Sequence, residues 1–218
     1  DHTILDAPLP YEKARKIPLE KGPNIASIPE MDVLPDELEV PILLKMGDNI
    51  STDEILAGGA RVLPYRSNLP EISKFTFEII DDSYYSRAKK TVSEGGHAIV
   101  AGYNYGQGSS REHAALAPRY LGLKIALVKD FARIHWQNLV NFGVLPLTFV
   151  NVDDYDKLKN GDVLVVSNLR NKVKADQPFF LEIKGTDKRI EVTHALSKRQ
   201  IDVMLQGGMI NWVKNRQA

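Results

Sequence analysis

The sequence contains no cysteine. That excludes disulfides, a cysteine nucleophile, a thiolate zinc site and any iron–sulfur cluster ligated from within these residues. Neither sign of charge is in excess: 28 Lys and Arg stand against 28 Asp and Glu, a formal net charge of zero. No global field therefore draws in a polyanion such as nucleic acid or an anionic membrane surface, and any anion has to be held locally. No stretch approaches the ~18 unbroken apolar residues of a membrane span, and no basic-then-apolar signal segment opens the chain. These absences describe a soluble intracellular protein, cytoplasmic, or of the mitochondrial matrix in a eukaryote. What is present, 218 residues of which 43% are hydrophobic, suffices for one large domain or two small ones with a buried core.

Proline is plentiful but unevenly placed. Seven of the twelve prolines fall in the first 41 residues, at Pro8, Pro10, Pro18, Pro23, Pro29, Pro35 and Pro41, a density that forbids long helices and central strands. Residues 1–40 read as an extended interdomain linker or arm, and the cluster Lys13, Arg15, Lys16 as its solvated surface. The chain opens at Asp1 without an initiator Met, and a proline-rich arm needs something to lie against. Both features suggest a piece of a longer polypeptide. The remainder, 41–218, reads as one domain, with an α/β core over 41–150 and a β-rich segment and terminal helix over 151–218.

Within that core, short apolar runs alternate with turn signals. Ile42-Leu43-Leu44, Ala98-Ile99-Val100, Ile125 to Val128 and Val144-Leu145 read as buried strands. Between them lie a helix beginning near Ser109 and another from Phe131 to Phe142, where Ala132, Trp136, Leu139 and Val140 recur at helical spacing. Such alternation predicts an α/β layer. Beyond Val150, Val163–Val166 and Phe179–Ile183 predict antiparallel strands, and Ser197–Val213 a terminal helix interrupted at Gly207-Gly208.

The chemistry concentrates in Gly102-Tyr-Asn-Tyr-Gly106-Gln-Gly108-Ser109-Ser110-Arg111-Glu112-His113, which leaves a strand, passes three glycines and enters a helix. Glycine permits positive φ and close approach of backbone to a ligand, and free N–H groups at a helix start make an anion seat. Arg111 is placed to grip a carboxylate or phosphate with two parallel hydrogen bonds. The structural alternative is a capping box, Ser109-x-x-Glu112. No Gly-Lys-Ser/Thr follows and the spacing is not Gly-x-Gly-x-x-Gly, so a nucleotide site is disfavoured.

Tyr105-Gly-Gln-Gly-Ser-Ser-Arg-Glu-His-Ala-Ala-Leu-Ala-Pro118-Arg-Tyr-Leu-Gly122 strongly resembles the signature of the C-terminal swivel domain of aconitases. Phe131-Ala-Arg-Ile-His135, Asn138-Leu139, Gly143 to Phe149 and Gly47-Asp-Asn-Ile-Ser-Thr-Asp53 extend the resemblance over about residues 40–150. It implies a swivelling β/β/α domain that closes over the active site of a hydro-lyase interconverting citrate and isocitrate through cis-aconitate. By the same resemblance Ser109 is the base, and Ser110 and Arg111 bind substrate carboxylate. Arg66, with Arg61 as the alternative position, is a second carboxylate clamp, and Asp53 pairs with a histidine of another domain. A [4Fe-4S] cluster is implied on separate cluster-bearing domains, as partner in the same polypeptide or in a separate subunit, with no cofactor on this chain. Alone, the chain is then expected to be inactive.

Two other readings stand beside this one. The small subunit or domain of an isopropylmalate or homoaconitate dehydratase shares the Gly-Ser-Ser-Arg turn, although an apolar replacement for Arg66 would suit an isopropyl group better. A non-catalytic RNA-binding module is disfavoured by the zero net charge and the lack of a basic stripe. His2, His97, His113, His135 and His194 show no i,i+4 pair, and no metal site is expected; His113 and His135 read as structural. Trp136 and Trp212 read as packing anchors, and Arg119 and Arg133 as partners of local carboxylates or carbonyls.

Overall fold

A computed structural model of the protein describes residues 6–217; His2 and the outer ends of the expected arm and domain lie outside them. Seven strands close into a barrel: β1 (Leu38–Lys45), β2 (His97–Ala101), β3 (Leu123–Val128), β4 (Leu145–Phe149), β5 (Val163–Val166), β6 (Phe179–Ile183) and β7 (Arg189–Thr193). Their order around the barrel is β1-β2-β3-β4-β7-β6-β5. The first four run parallel, while β5, β6 and β7 pair antiparallel with one another and with β1 and β4. Fold class is therefore mixed α/β, as expected, but the β-rich tail shares one closed sheet with the core.

Burial explains why the strands were visible as apolar runs. Every residue of β2 and β3 is buried, because one face fills the barrel and the other lies under helices. Ile42, Val100, Ile125 and Leu127 sit in the barrel core, whereas Leu44, Ile99, Ala101 and Val128 pack outward against helices α1 (Tyr84–Thr91) and α2 (His113–Tyr120). By contrast β6 alternates, with Phe179, Leu181 and Ile183 inward and Phe180 and Glu182 outward. Helix α3 (Arg133–Asn141) connects β3 to β4, and α4 (Leu169–Ala175) connects β5 to β6. The terminal helix divides at Gly207-Gly208 as expected, into α5 (Lys198–Leu205) and α6 (Met209–Gln217), and Ser197 and Gln200 form a capping box at its start.

The expectation that the proline-dense start excludes a central strand is corrected at Pro41, and a second proline also sits in a strand. Pro41 lies within β1 and Pro146 within β4. Each occupies a place where one neighbour is missing: β2 registers with β1 only from Ile42, and β7 meets β4 only at Thr148 and Phe149. The absent N–H is not required there.

The expected arm also ends sooner than residue 40. Leu34 is 3% exposed and belongs to the barrel core with Leu38 and Val40. The Asp32 carbonyl accepts from Arg119 at 2.7 Å, and the Leu34 carbonyl from Arg170 at 2.6 Å. The Asp36 carbonyl caps α4 through the Leu169 amide at 2.8 Å. Residues 29–37 therefore belong to the packed body. Residues 6–25, by contrast, are exposed and hold one helical turn, Tyr11–Ala14.

Of the two tryptophans, Trp136 packs against the barrel core, whereas Trp212 is partly exposed with Arg199 and Arg216 lying over its ring. No helix among the described residues is long and apolar enough to cross a membrane.

Candidate functional site

The site grows from the carboxyl ends of β1 and β2, the edge of a parallel sheet at which connecting loops converge. The loop after β1, residues 46–53, and the loop after β2, residues 102–108, are laced together along their length. The Gly102 amide donates to the Gly47 carbonyl at 3.0 Å, the Tyr103 amide to Asp48 Oδ1 at 2.7 Å, and the Asn49 amide back to the Tyr103 carbonyl at 2.7 Å. Further along, the Gly106 amide donates to the Ile50 carbonyl at 2.7 Å and the Thr52 amide to the Gln107 carbonyl at 2.8 Å. Side chains join in: Asn104 Nδ2 donates to Asn49 Oδ1 and to Gln107 Oε1, and Gln107 Nε2 to the Asn49 carbonyl. Asn49 and Asn104 take φ of 61° and 56°, a conformation asparagine tolerates better than most residues. A Cβ on Gly102 would overlap the Asp48 carboxylate, and one on Gly106 the His135 ring, which is why these positions admit only glycine.

This lacing holds Ser109 clear of the helix. Helix α2 starts at His113, not near Ser109, and its N-cap, Glu112, makes no side-chain capping bond, so the alternative Ser109-x-x-Glu112 box does not form. The Gln107 bridge to Ser51 keeps the chain extended up to Gly108, whose φ is +97°. The box forms instead at Ser51 and Glu54, around the helical turn Thr52–Ile55 that carries Asp53. From Gly108 to His113 no backbone amide donates to a protein acceptor among the described residues. Ser109 thus lies on a run of free donors.

Ser109, Arg111, His113 and Arg66 line one cleft of about 240 Å³, walled on its apolar side by Leu56, Val62, Leu63 and Ile72. Arg111 Nη1 meets Asp53 Oδ1 at 2.7 Å and the Leu56 carbonyl at 3.1 Å. The Arg111 guanidinium beside Asp53, and then the Gly58 amide, hold that carboxyl below the usual carboxylate range, so Asp53 stays ionised. A Cβ on Gly58 would stand 2.8 Å from the guanidinium carbon. Of the two arginines left open by the sequence, Arg66 lines the cleft, whereas Arg61 is paired with Glu78 and lies over the Phe75 ring at 4.9 Å. Ser110 is exposed beside the cleft rather than in its wall, and Asp53 reaches the cleft through Arg111.

His97 is fully buried, and its Nε2 lies 2.6 Å from the Tyr84 hydroxyl. Thr91 Oγ1 donates to the Ala88 carbonyl and so accepts from His97 Nδ1 at 3.0 Å, which places the proton on Nδ1 and makes Tyr84 the donor. Burial pushes His97 down to about 3 and His135 down to about 4, so both rings are neutral. Sequence reasoning missed Asp48, Asn49, Asn104 and Gln107; the Asn-containing turns beside glycine were the available signal. Among the described residues no three His, Asp or Glu side chains gather as metal ligands.

Fold and cleft together define an α/β barrel domain that presents a turn with free backbone amides, a serine and two guanidinium groups at the end of its parallel strands. A family model described as the aconitase C-terminal domain matches residues 43–152, and the chain belongs to that family. Homocitrate dehydratase, mitochondrial, from Saccharomyces cerevisiae is 41% identical over 204 residues, covering 82% of this chain and 26% of that protein. A probable mitochondrial aconitate hydratase from Dictyostelium discoideum is 36% identical, covering 84% of this chain and 26% of its own length. The chain thus spans about a quarter of the length of these relatives. In three dimensions it is similar to 3-isopropylmalate dehydratase from Methanocaldococcus jannaschii, with a TM-score of 0.67 and 28% identity over 83% of this chain and 95% of that one.

Proposed function

We propose that the chain is the substrate-gripping domain of a hydro-lyase for tricarboxylic acids, interconverting citrate and isocitrate through cis-aconitate. The observation that carries the proposal is the single cleft shared by Ser109, Arg111 and Arg66, bordered by the free amides of Gly108 to His113. Arg66 and Arg111 each take one substrate carboxylate, Ser110 assists at the turn, and the two grips decide which carbon faces Ser109. Asp53 orients Arg111, and its exposed side, by the resemblance, pairs with a histidine of another domain.

Ser109 Oγ accepts the proton from the carbon next to a carboxylate as the C–C double bond forms and hydroxide departs; the reverse sequence hydrates the alkene. A helix dipole is worth at most ~2 kcal/mol, or about 1.5 pKa units, too little to make a serine basic. With α2 beginning at His113, the stronger contribution comes from the free amides of the turn, which have no protein acceptor of their own. The departing hydroxide needs a Lewis acid, and the cysteine-free chain offers no donor set for an iron–sulfur cluster. A [4Fe-4S] cluster on the cluster-bearing remainder of the protein, in the same polypeptide or a separate subunit, supplies it there. The isolated chain is accordingly inactive. The relatives named mitochondrial support the mitochondrial matrix for a eukaryotic source.

A second reading draws support from the 41% identity to a homocitrate dehydratase: homocitrate is also a tricarboxylate, one methylene longer. An isopropylmalate-type substrate fits less well, because Arg66 adds to the cleft a second guanidinium that a third carboxylate would pair and an isopropyl group would leave unpaired. Assaying the full-length, cluster-loaded protein with citrate, homocitrate and isopropylmalate tests the proposal. A tricarboxylate is expected to be turned over, and Arg66→Gln to lower kcat/KM for it by about 100-fold. Preference for isopropylmalate, or indifference to Arg66→Gln, would overturn it.

A further inference from the structure

We infer that His113 is a positioning residue: by gripping the Arg66 backbone it fixes where the Arg66 guanidinium stands over the cleft. The kinetic part of this inference rests on the tricarboxylate reading above; the structural part does not.

The segment from Leu56 to Arg66 is a strap that crosses the start of α2 between two hydrogen bonds. At one end Arg111 Nη1 donates to the Leu56 carbonyl at 3.1 Å; at the other, His113 Nε2 lies 2.8 Å from the Arg66 carbonyl. A carbonyl oxygen only accepts, so Nε2 carries the proton. The two clamps flank Glu112 in sequence and hold opposite ends of the same strap. Between them the strap turns on itself, with the Val62 and Leu63 amides donating to the Gly59 carbonyl, and is pinned by buried Val62. Arg66 is exposed and no side-chain bond to the rest of the site is seen for its guanidinium among the described residues, so the place from which it reaches over the cleft is set by its backbone. The Arg66 amide donates only within its own turn, to the Leu63 carbonyl at 3.2 Å. His113 is therefore the hydrogen bond that ties Arg66 to the start of α2, two residues after Arg111. Because both clamps address backbone carbonyls, they hold the strap whatever side chains it bears.

The test uses the full-length, cofactor-loaded protein. His113→Leu keeps bulk and removes the donor; His113→Gln restores an N–H at similar reach; His113→Asn, too short to reach, serves if His113→Leu does not fold. His113→Leu is expected to raise KM for the tricarboxylate about ten-fold with kcat within about three-fold, and His113→Gln to recover most of that loss. In an Arg66→Gln background, His113→Leu is expected to add nothing, since its effect runs through Arg66. An unchanged KM, or effects that multiply fully in the double variant, would overturn the inference. If the wild-type protein turns over no tricarboxylate, the functional reading fails and backbone hydrogen exchange of residues 59–66 decides. Exchange about ten-fold faster in His113→Leu and restored in His113→Gln supports the clamp, and unchanged exchange rejects it.

Discussion

At the scale of single residues, the site depends on contacts that no side-chain inventory of the sequence displays. Gly58 is the clearest case: a Cβ there would stand 2.8 Å from the Arg111 guanidinium, the end of a flexible side chain rather than a rigid wall. Gly58→Ala is expected to change stability by less than about 1 kcal/mol while displacing the guanidinium and raising KM about ten-fold, measurable by thermal melting beside steady-state kinetics. The buried histidines carry a second expectation. His97 and His135 titrate near 3 and 4 in the fold against 6.5 unfolded, so between those values the unfolded chain binds more protons. Stability contributed by the neutral rings is complete above about pH 6.5 and falls as pH drops toward 4, by up to about 2.7 kcal/mol per pH unit for the two together. Denaturant titrations of the chain across pH 4–8 read this directly. A flat profile would contradict the neutral, buried assignment.

At the scale of elements, the two laced loops are the unit that aims Ser109. Asp48→Ala removes the acceptor of the Tyr103 amide, and hydrogen exchange of residues 102–108 is expected to accelerate about ten-fold, while Asp48→Asn keeps an acceptor and most of the protection. Much of the element list was legible. Strands β2 and β3 stand out because burial on both faces leaves them uniformly apolar, and the paired glycines marked the break between α5 and α6. Strand β7 did not stand out, since Arg189-Ile-Glu-Val-Thr193 buries only Ile190 and Val192. Nor did α1, in which only Tyr84, Ala88 and Thr91 are buried. Ser109 and Arg111 were legible through a resemblance. Of their supports, Asp48, Gln107 and His113 act through bonds to distant backbone and Asn104 through side chains of both loops, none of which leaves a periodic trace in sequence.

For the whole molecule, barrel closure was beyond sequence reading, because it depends on β7 returning to β4 and β5 to β1 across long separations. The same applies to the arm, where proline density described the composition correctly and concealed that Leu34 fills the core. Removing residues 1–24 is expected to leave the melting temperature within about 2 °C. Removing residues 1–37 deprives Arg119 and Arg170 of buried carbonyl acceptors and the core of Leu34, at a cost of several kcal/mol, about 3 or more. Equal effects of the two truncations would place the boundary elsewhere. The central claim, that this domain brings the base to a substrate activated on another part of the protein, is tested most directly by isotope exchange. The full-length, cluster-loaded protein is expected to wash deuterium from solvent into the tricarboxylate beside its carboxylate, and Ser109→Ala to bind the substrate while exchanging about 1,000-fold or more slowly. Undiminished exchange in Ser109→Ala would contradict the account.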